Sequence, residues 1–290
     1  MVDILLTGTV LISSDKVVRD GYVYVKDGVI EDIGESPVPE DYTFAGLILG
    51  GRGRIIAPGI VGLVDALAYP IRLRMPDMAD RLSLYTSTSS KELALAALPA
   101  VYEAHMSGIT TLIIEGVDQR VLDIIEETVG GRYYLAMPAC HNKESSTPRV
   151  KALVAGTRCP GDAHIYERNG WGYSNGSRVL ALFTRASYSL TNLGNVHAMS
   201  HRLAEALGLE PPVLRKGRLA EIVVYNTIKP PAMMLYTGDA SLLINVYSSG
   251  AKVESLIIGN DVLVDIGEHL YISDKQLEDS RKVIERLTSR

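Results

Sequence analysis

The chain is poor in the residues that would make several function classes plausible. It has two cysteines, Cys140 and Cys159, in 290 residues, too few for a disulfide framework. It has no apolar run of 18 residues, so no membrane span is expected. The opening MVDILLTGTV carries an acid where a secretory leader would carry basic residues, and the cytosol is the expected compartment. The 29 basic residues are outnumbered by 34 acidic ones, for a net charge of −5, and they are scattered. That excludes the basic footprint of a nucleic-acid binder. Phenylalanine occurs twice against 15 tyrosines, and glutamine only at Gln119 and Gln276. Low glutamine fits a thermophilic source weakly.

What is present is ordinary globular material, 47% apolar and 22% charged, enough for one large domain or two ordinary ones. The two ends are strand-rich. DILLTGTVLI (3–12) is a β-rich apolar stretch, and GYVYVKDGVIEDIG (21–34) is a hairpin turning at Asp27-Gly28. RIIAPG (54–59) is a strand stopped by Pro58. AEIVVYN (220–226) reads as a buried strand and VESLIIGNDVLVDIG (253–267) as a hairpin turning at Gly259-Asn260. Neither end alone has enough strands to be stable, so they are expected to assemble together around an inserted middle. The last segment is a helix opened by a Ser273/Gln276 capping box, with Leu277, Ile284 and Leu287 on one face.

The middle alternates. A helix over 91–108, kinked at Pro99, precedes a strand over 109–116. A helix capped by Asp118 precedes a strand over 132–140. Short joints between such elements imply βα units around a parallel sheet. Weak strands follow at 150–156 and 178–184. RNGWGYSNGS (168–177) between them reads as a Gly- and Asn-rich surface loop, and a helix at 195–208 closes the region.

Four segments together resemble the amidohydrolase superfamily, in its chlorohydrolase and aminated-heterocycle deaminase branch. They are the opening strands, GRIIAPGIVGLVDAL (53–67), SGITTLIIEG (107–116), and LAEALGLEPPVLRKGRLAEIVVYN (203–226) with VESLIIGNDVLV (253–264). The resemblance implies an α/β fold: a metal-dependent (β/α) TIM-type barrel inserted into a composite β-sandwich. Here the sandwich would span 1–57 and 217–267, the barrel 58–216, and a C-terminal helix 268–290. The barrel span is about 160 residues, against the ~250 typical of a complete one, so a reduced barrel is expected, its edges covered by a loop, a helix or a partner.

The resemblance also implies an H-x-H pair on the first barrel strand, where two side chains two apart on a strand reach one metal. Counted on from Pro58-Gly59, those positions hold Val64 and Ala66, and no H-x-H occurs anywhere in the chain. His164 and Glu167 resemble the strand-five H-x-x-E, and Arg185 stands where a strand-eight aspartate would. His197 and His201, four apart on a helix, could share a zinc ion, but Ala198 replaces the glutamate of the zincin pattern. Cys140, His141, Cys159 and His164 could form a closed zinc site, and a Cys140–Cys159 disulfide is equally open. Cys140 with His141 as base is poorly placed, because neighbours on a strand point to opposite faces. GGRG (50–53) is a turn, lacking the third glycine and the helix of a dinucleotide loop. Trp171 is either a core residue or a binding-site aromatic.

These readings converge on a relative that has lost metal-dependent hydrolysis and acts as a binding or assembly subunit, as a homo-oligomer or with a related subunit, needing no cofactor. One alternative is a hydrolase or deaminase of a small cyclic substrate, using zinc or iron in a site rebuilt around His141, His164 and Glu167. Another is a binder that keeps a small heterocyclic ligand without turnover.

Overall fold

The computed structural model describes residues 2–13, 16–65, 84, 87–115, 117–137, 150–152, 166–168, 171–174, 177–179, 196–206, 208–228 and 252–289. In chain order they form β1 (Ile4–Ser13), β2 (Lys16–Lys26), β3 (Val29–Glu35), β4 (Leu47–Pro58) and β5 (Ile60–Asp65). Then come α1 (Ser90–Met106), β6 (Ile109–Glu115), α2 (Gln119–Val129), β7 (Arg132–Met137) and β8 (Val150–Ala152). Three short strands follow, β9 (Tyr166–Arg168), β10 (Trp171–Ser174) and β11 (Ser177–Val179), and then α3 (Val196–Ala206). The chain ends with β12 (Glu221–Asn226), β13 (Lys252–Ile258), β14 (Asp261–Asp265), β15 (Glu268–His269) and α4 (Asp274–Thr288).

Strands from both ends share one eight-stranded sheet, in the order β15-β14-β13-β12-β4-β1-β2-β3. The two ends meet where β4 pairs antiparallel with β12, Ile56 opposite Val224. A composite β unit built from both termini was expected, and the strands of both ends share a single sheet, which curls. Strand β3, at the far end of the order, bonds the segment leading into β12, through Ile30 N to Arg218 O at 2.8 Å and Gly217 N to Ile30 O at 2.8 Å. Ala220 N then bonds Gly28 O at 2.9 Å, and Gly259 N bonds Ala220 O at 2.7 Å, which ties the two hairpin turns together. The β2–β3 turn is the tight kind its sequence demands, with Asp27 at φ 50° and Gly28 at φ 77°.

Strand β12 shows why the terminal sequence is so apolar. Ile222 and Val224 lie in a core with Ile4, Leu6, Val23 and Ile56. Val223 and Tyr225, on the other face, lie in a second core with Leu11, Leu256 and Leu263, against which Met106 of α1 packs. A strand covered on both faces reads as a continuous hydrophobic run, and each such side chain contributes roughly 1.5–3 kcal/mol on burial.

The middle contributes a parallel sheet of four described strands, β5-β6-β7-β8. Helices α1 and α2 connect its first three strands. Ser89 caps α1, its hydroxyl accepting from Glu92 N at 3.4 Å, and α1 continues through Pro99. Asp118 caps α2 at Val121 N, 2.9 Å, and Gly130 ends it at φ 69°. One face of the sheet packs on these helices: Leu112 and Ile114 share a core with Leu93 and Val101 of α1, Val121 and Ile125 of α2, and Ile284 and Leu287 of α4. The capping box of α4 is present, with Ser273 and Gln276 exchanging side-chain and backbone bonds.

The edge of β5, expected to be covered by a loop, a helix or a partner, meets a helix among the described residues: the Val61 N–H donates to the Ser200 hydroxyl of α3 at 2.7 Å, so a side chain from outside the sheet satisfies an edge group that another strand would otherwise take. One expectation changes: the surface loop expected over 168–177 is a meander. Strands β9, β10 and β11 form a separate antiparallel sheet, with Arg168 opposite Trp171 and Ser174 opposite Ser177. Each pairing leaves two residues between the strands, Asn169-Gly170 and Asn175-Gly176, the strongest short-range hairpin signal. The weak strands expected at 150–156 and 178–184 are described as 150–152 and 177–179. No described helix is long and apolar enough to cross a membrane.

Candidate functional site

In α/β folds with parallel strands, chemistry gathers at the carboxyl ends of those strands. Here those ends are Asp65 of β5, Glu115 of β6 and Met137 of β7. The register pairs Val64 with Ile114 and Asp65 with Glu115, and Glu115 with Ala136. Residues paired in a parallel ladder occupy the same face. Position 64 therefore falls on the face of Leu112 and Ile114, whose side chains lie in the helix-packed core. Position 65 falls on the other face, beside position 115. Sequence reasoning weighed Val64 and Ala66 and passed over Asp65 and Glu115. The signal was two apolar strand sequences, IVGLVD and ITTLIIE, each ending on an acid.

Several expected site residues are not placed. Ala66, Cys140, His141, Cys159, His164 and Arg185 lie outside the described residues. Glu167 is on β9, opposite Gly172 in the antiparallel meander and not on a strand of the parallel sheet. Trp171 is on β10 of the same meander. Gly50–Gly53 run within β4, with Gly50, Gly51 and Gly53 at positive φ. Among the described residues no group of three or more His, Cys, Asp or Glu could hold a metal ion.

His197 and His201 lie one turn apart on α3, as their spacing required. The His201 Nε2–H donates to the Pro212 carbonyl at 3.2 Å. Burial, with His201 beside it, holds the His197 pKa down to about 3. No acid or thiol joins them among the described residues, so they fall short of a zinc set.

A histidine pair that the sequence did not announce sits at the junction of the layers. His105, in the last turn of α1, is buried, and its Nδ1 is 3.0 Å from His269 Nε2. The other nitrogen of His269, Nδ1, accepts from Tyr271 N at 3.2 Å and Ile272 N at 3.1 Å. Those two backbone donors place the His269 proton on Nε2, which donates to His105, and leave the His105 proton on Nε2. Burial, then the neighbouring His269, pushes the His105 pKa down to about 3, and burial holds His269 down to about 4. Both rings are neutral at pH 7. A metal on His269 Nε2 would force a proton onto Nδ1, against two N–H donors, so this pair is a structural peg. His105 Nε2 and the hydroxyl of Tyr133, whose ring lies 6.2 Å away, are buried with no hydrogen-bond partner among the described residues.

The second buried polar group, like the histidine pair, lies at the amino end of the parallel strands. The buried Glu221 of β12 accepts from the Thr111 hydroxyl at 2.5 Å and from Arg132 at 2.5 Å. Arg132 Nε donates to the Tyr134 hydroxyl at 3.1 Å. Burial works against the Arg132 charge, but Glu221 and Tyr134 outweigh it and the pKa is raised. This cluster bolts the eight-stranded sheet to the parallel one. Polar residues at that end serve stability.

No protein-family profile and no curated protein matches the chain. Solved structures do. A triazine hydrolase variant is similar with a TM-score of 0.69 at 12% identity, covering 98% of this chain and 100% of its own. The atrazine chlorohydrolase of Arthrobacter aurescens TC1, complexed with zinc, gives a TM-score of 0.67 at 12% identity, covering 97% and 100%. An adenosine deaminase from Xanthomonas campestris with bound zinc gives 0.63 at 11%, covering 100% and 99%. At such identities the likeness establishes the fold alone: this chain has the fold of these triazine hydrolase, chlorohydrolase and adenosine deaminase structures, in agreement with the resemblance carried by the four segments of the sequence.

Proposed function

We propose that the chain is an amidohydrolase-fold protein without metal-dependent hydrolysis, acting as a binding or assembly subunit on a reduced barrel. One observation carries this reading. Counted on from Pro58-Gly59, the positions that the resemblance gives to the first-strand ligands hold Val64 and Ala66, position 64 falls on the helix-packed face, and no H-x-H exists to replace them. Metal-activated water is the nucleophile of such hydrolases, and neither valine nor alanine offers a lone pair to a metal. The residues present thus do not fit a zinc site there, and no hydrolytic step is routed through one. The partner is a second copy or a related subunit. Support for assembly comes from exposed apolar side chains on the described surface, among them Phe44, Ile266 and Leu270.

A second reading draws on the Asp65–Glu115 register pair. Two acidic positions side by side at the carboxyl ends of parallel strands are a starting point for an altered site, distinct from the one the sequence suggested around His141, His164 and Glu167. The two readings separate in one assay. The purified chain, supplied with zinc, is incubated with amino-substituted triazines, adenosine and guanine while ammonia or chloride release is followed. The proposal expects no turnover above a protein-free control and light scattering above the 31.5 kDa monomer. Zinc-dependent turnover overturns it.

A further inference from the structure

The buried histidine pair joins α1 to the C-terminal segment through nitrogens that are already occupied. Each neutral ring has one nitrogen with a free lone pair, and both of those face donors. His269 Nδ1 accepts from Tyr271 N at 3.2 Å and Ile272 N at 3.1 Å. His105 Nδ1 accepts from His269 Nε2 at 3.0 Å. A proton added at either nitrogen turns an acceptor into a donor that meets other donors, so an imidazolium breaks the bonds that hold it. No counter-ion faces that charge among the described residues. Beside His105 lie the rings of His269 of β15 and Tyr133 of β7, and beside His269 those of His105 and Tyr102 of α1. Glu126 of α2 acts on the Tyr133 hydroxyl but not on His105. Glu268, the neighbour of His269 on β15, is exposed and points to the other face. Asp274 and Lys275, in the first turn of α4, are exposed as well.

We propose that the pair is an acid-operated latch on the C-terminal helix: a proton on either ring parts α1 from β15 and releases α4 from α1, while the rest of the eight-stranded sheet stays folded. The position of the latch makes the release local. Helix α4 adds no strand to either sheet. Ile272, Ile284 and Leu287 share a core with Leu93 and Val101 of α1. Outside that core α4 meets α1 through the Arg286–Glu92 ion pair, which is half exposed, and such pairs contribute little. The Glu221–Arg132 bolt between the sheets contains no histidine. A released histidine regains its ordinary 6.5, whereas burial holds the latched rings down to about 4 at His269 and about 3 at His105. Below 6.5, each unit of pH therefore raises the released fraction about tenfold per histidine, until the lower values are reached. A helix of 15 residues is marginal without tertiary contacts, so on release it also loses the protection of its own backbone bonds.

Hydrogen exchange of the full chain tests the latch, followed by mass spectrometry at about pH 7 and about pH 4 and corrected for the intrinsic exchange rate at each. Protection of α4 is expected to fall at least roughly hundredfold between the two, while that of β1 and β2 changes by less than about threefold. In the variant His105→Leu with His269→Gln neither replacement takes a proton, and α4 should be equally protected at both pH values. In Glu92→Gln the acid release should persist. No fall at α4, or an equal fall in β1 and β2, overturns the proposal on the unaltered protein alone, so it stays decidable if the double variant does not fold. Acid release that survives in the double variant, or disappears in Glu92→Gln, assigns the effect to the carboxylates of α1 and α4 and overturns it as well.

Discussion

The eight-stranded sheet and the parallel sheet solve the problem of a sheet edge differently. The first folds back on itself, so β3 finds backbone partners at Gly217 and Arg218. The second, among the described residues, does not: at Val61 its edge is met by one hydroxyl, that of Ser200. One region is closed by many main-chain bonds specified locally by turns and alternation. The other depends on single side chains brought from far along the chain.

The comparison breaks first at the bolt between the two regions. Glu221→Ala leaves Arg132 charged and half-buried without its carboxylate, and losing one partner of such a pair costs about 3–5 kcal/mol. Chemical denaturation should show that loss, and the transition should split into two if the sheets then unfold separately. Gly108→Ala is the next largest. Gly108 sits at φ 88° between α1 and β6, and an added Cβ would meet the Tyr225 hydroxyl of β12. A loss of about 2 kcal/mol is expected from backbone strain and the clash.

Ser200→Ala sharpens the contrast directly. It strands a buried N–H and should cost about 1–2 kcal/mol, and hydrogen exchange should accelerate at Val61 and β5 while β1 and β2 are unaffected. The histidine peg adds a pH signature. His105 and His269 are held well below their ordinary 6.5 in the folded chain, so below pH 6.5 the unfolded state binds more protons. Their contribution is complete above pH 6.5 and is lost as pH falls towards about 4 and then 3. The variant His105→Leu with His269→Gln should flatten that part of the stability profile. The smallest effect is at the β14–β15 turn. Ile266 is 83% exposed at φ 51°, a conformation that a β-branched residue tolerates poorly. Ile266→Asn should raise stability by about 1 kcal/mol, and if Ile266 serves assembly it should also weaken self-association in sedimentation.

The same contrast governs what could be read in advance. In the terminal sheet the signals are local. Asp27-Gly28 dictates its turn, alternation dictates which residues of β12 enter which core, and Ser273 with Gln276 dictates the start of α4. In the middle the decisive relations are distant. His105 and His269 are 164 residues apart in sequence, and no spacing rule connects them. Thr111 meets Glu221 from 110 residues away. The meander is the exception, since its two Asn-Gly pairs were a local signal that the glycine-rich composition obscured. The first-strand positions were legible as identities, Val64 and Ala66, but the face on which Val64 lies depends on the register with β6, which periodicity in a short apolar strand cannot supply.

The central claim is that the frame has been kept and the first-strand metal site has not. It is tested most directly by equilibrating the purified full chain with excess zinc, removing free metal by gel filtration and measuring zinc per chain by mass spectrometry. The account predicts zinc far below one equivalent, unchanged when Asp65 and Glu115 are both replaced by alanine. One tightly held equivalent that disappears with that double substitution would place a metal at the ends of β5 and β6 and contradict it.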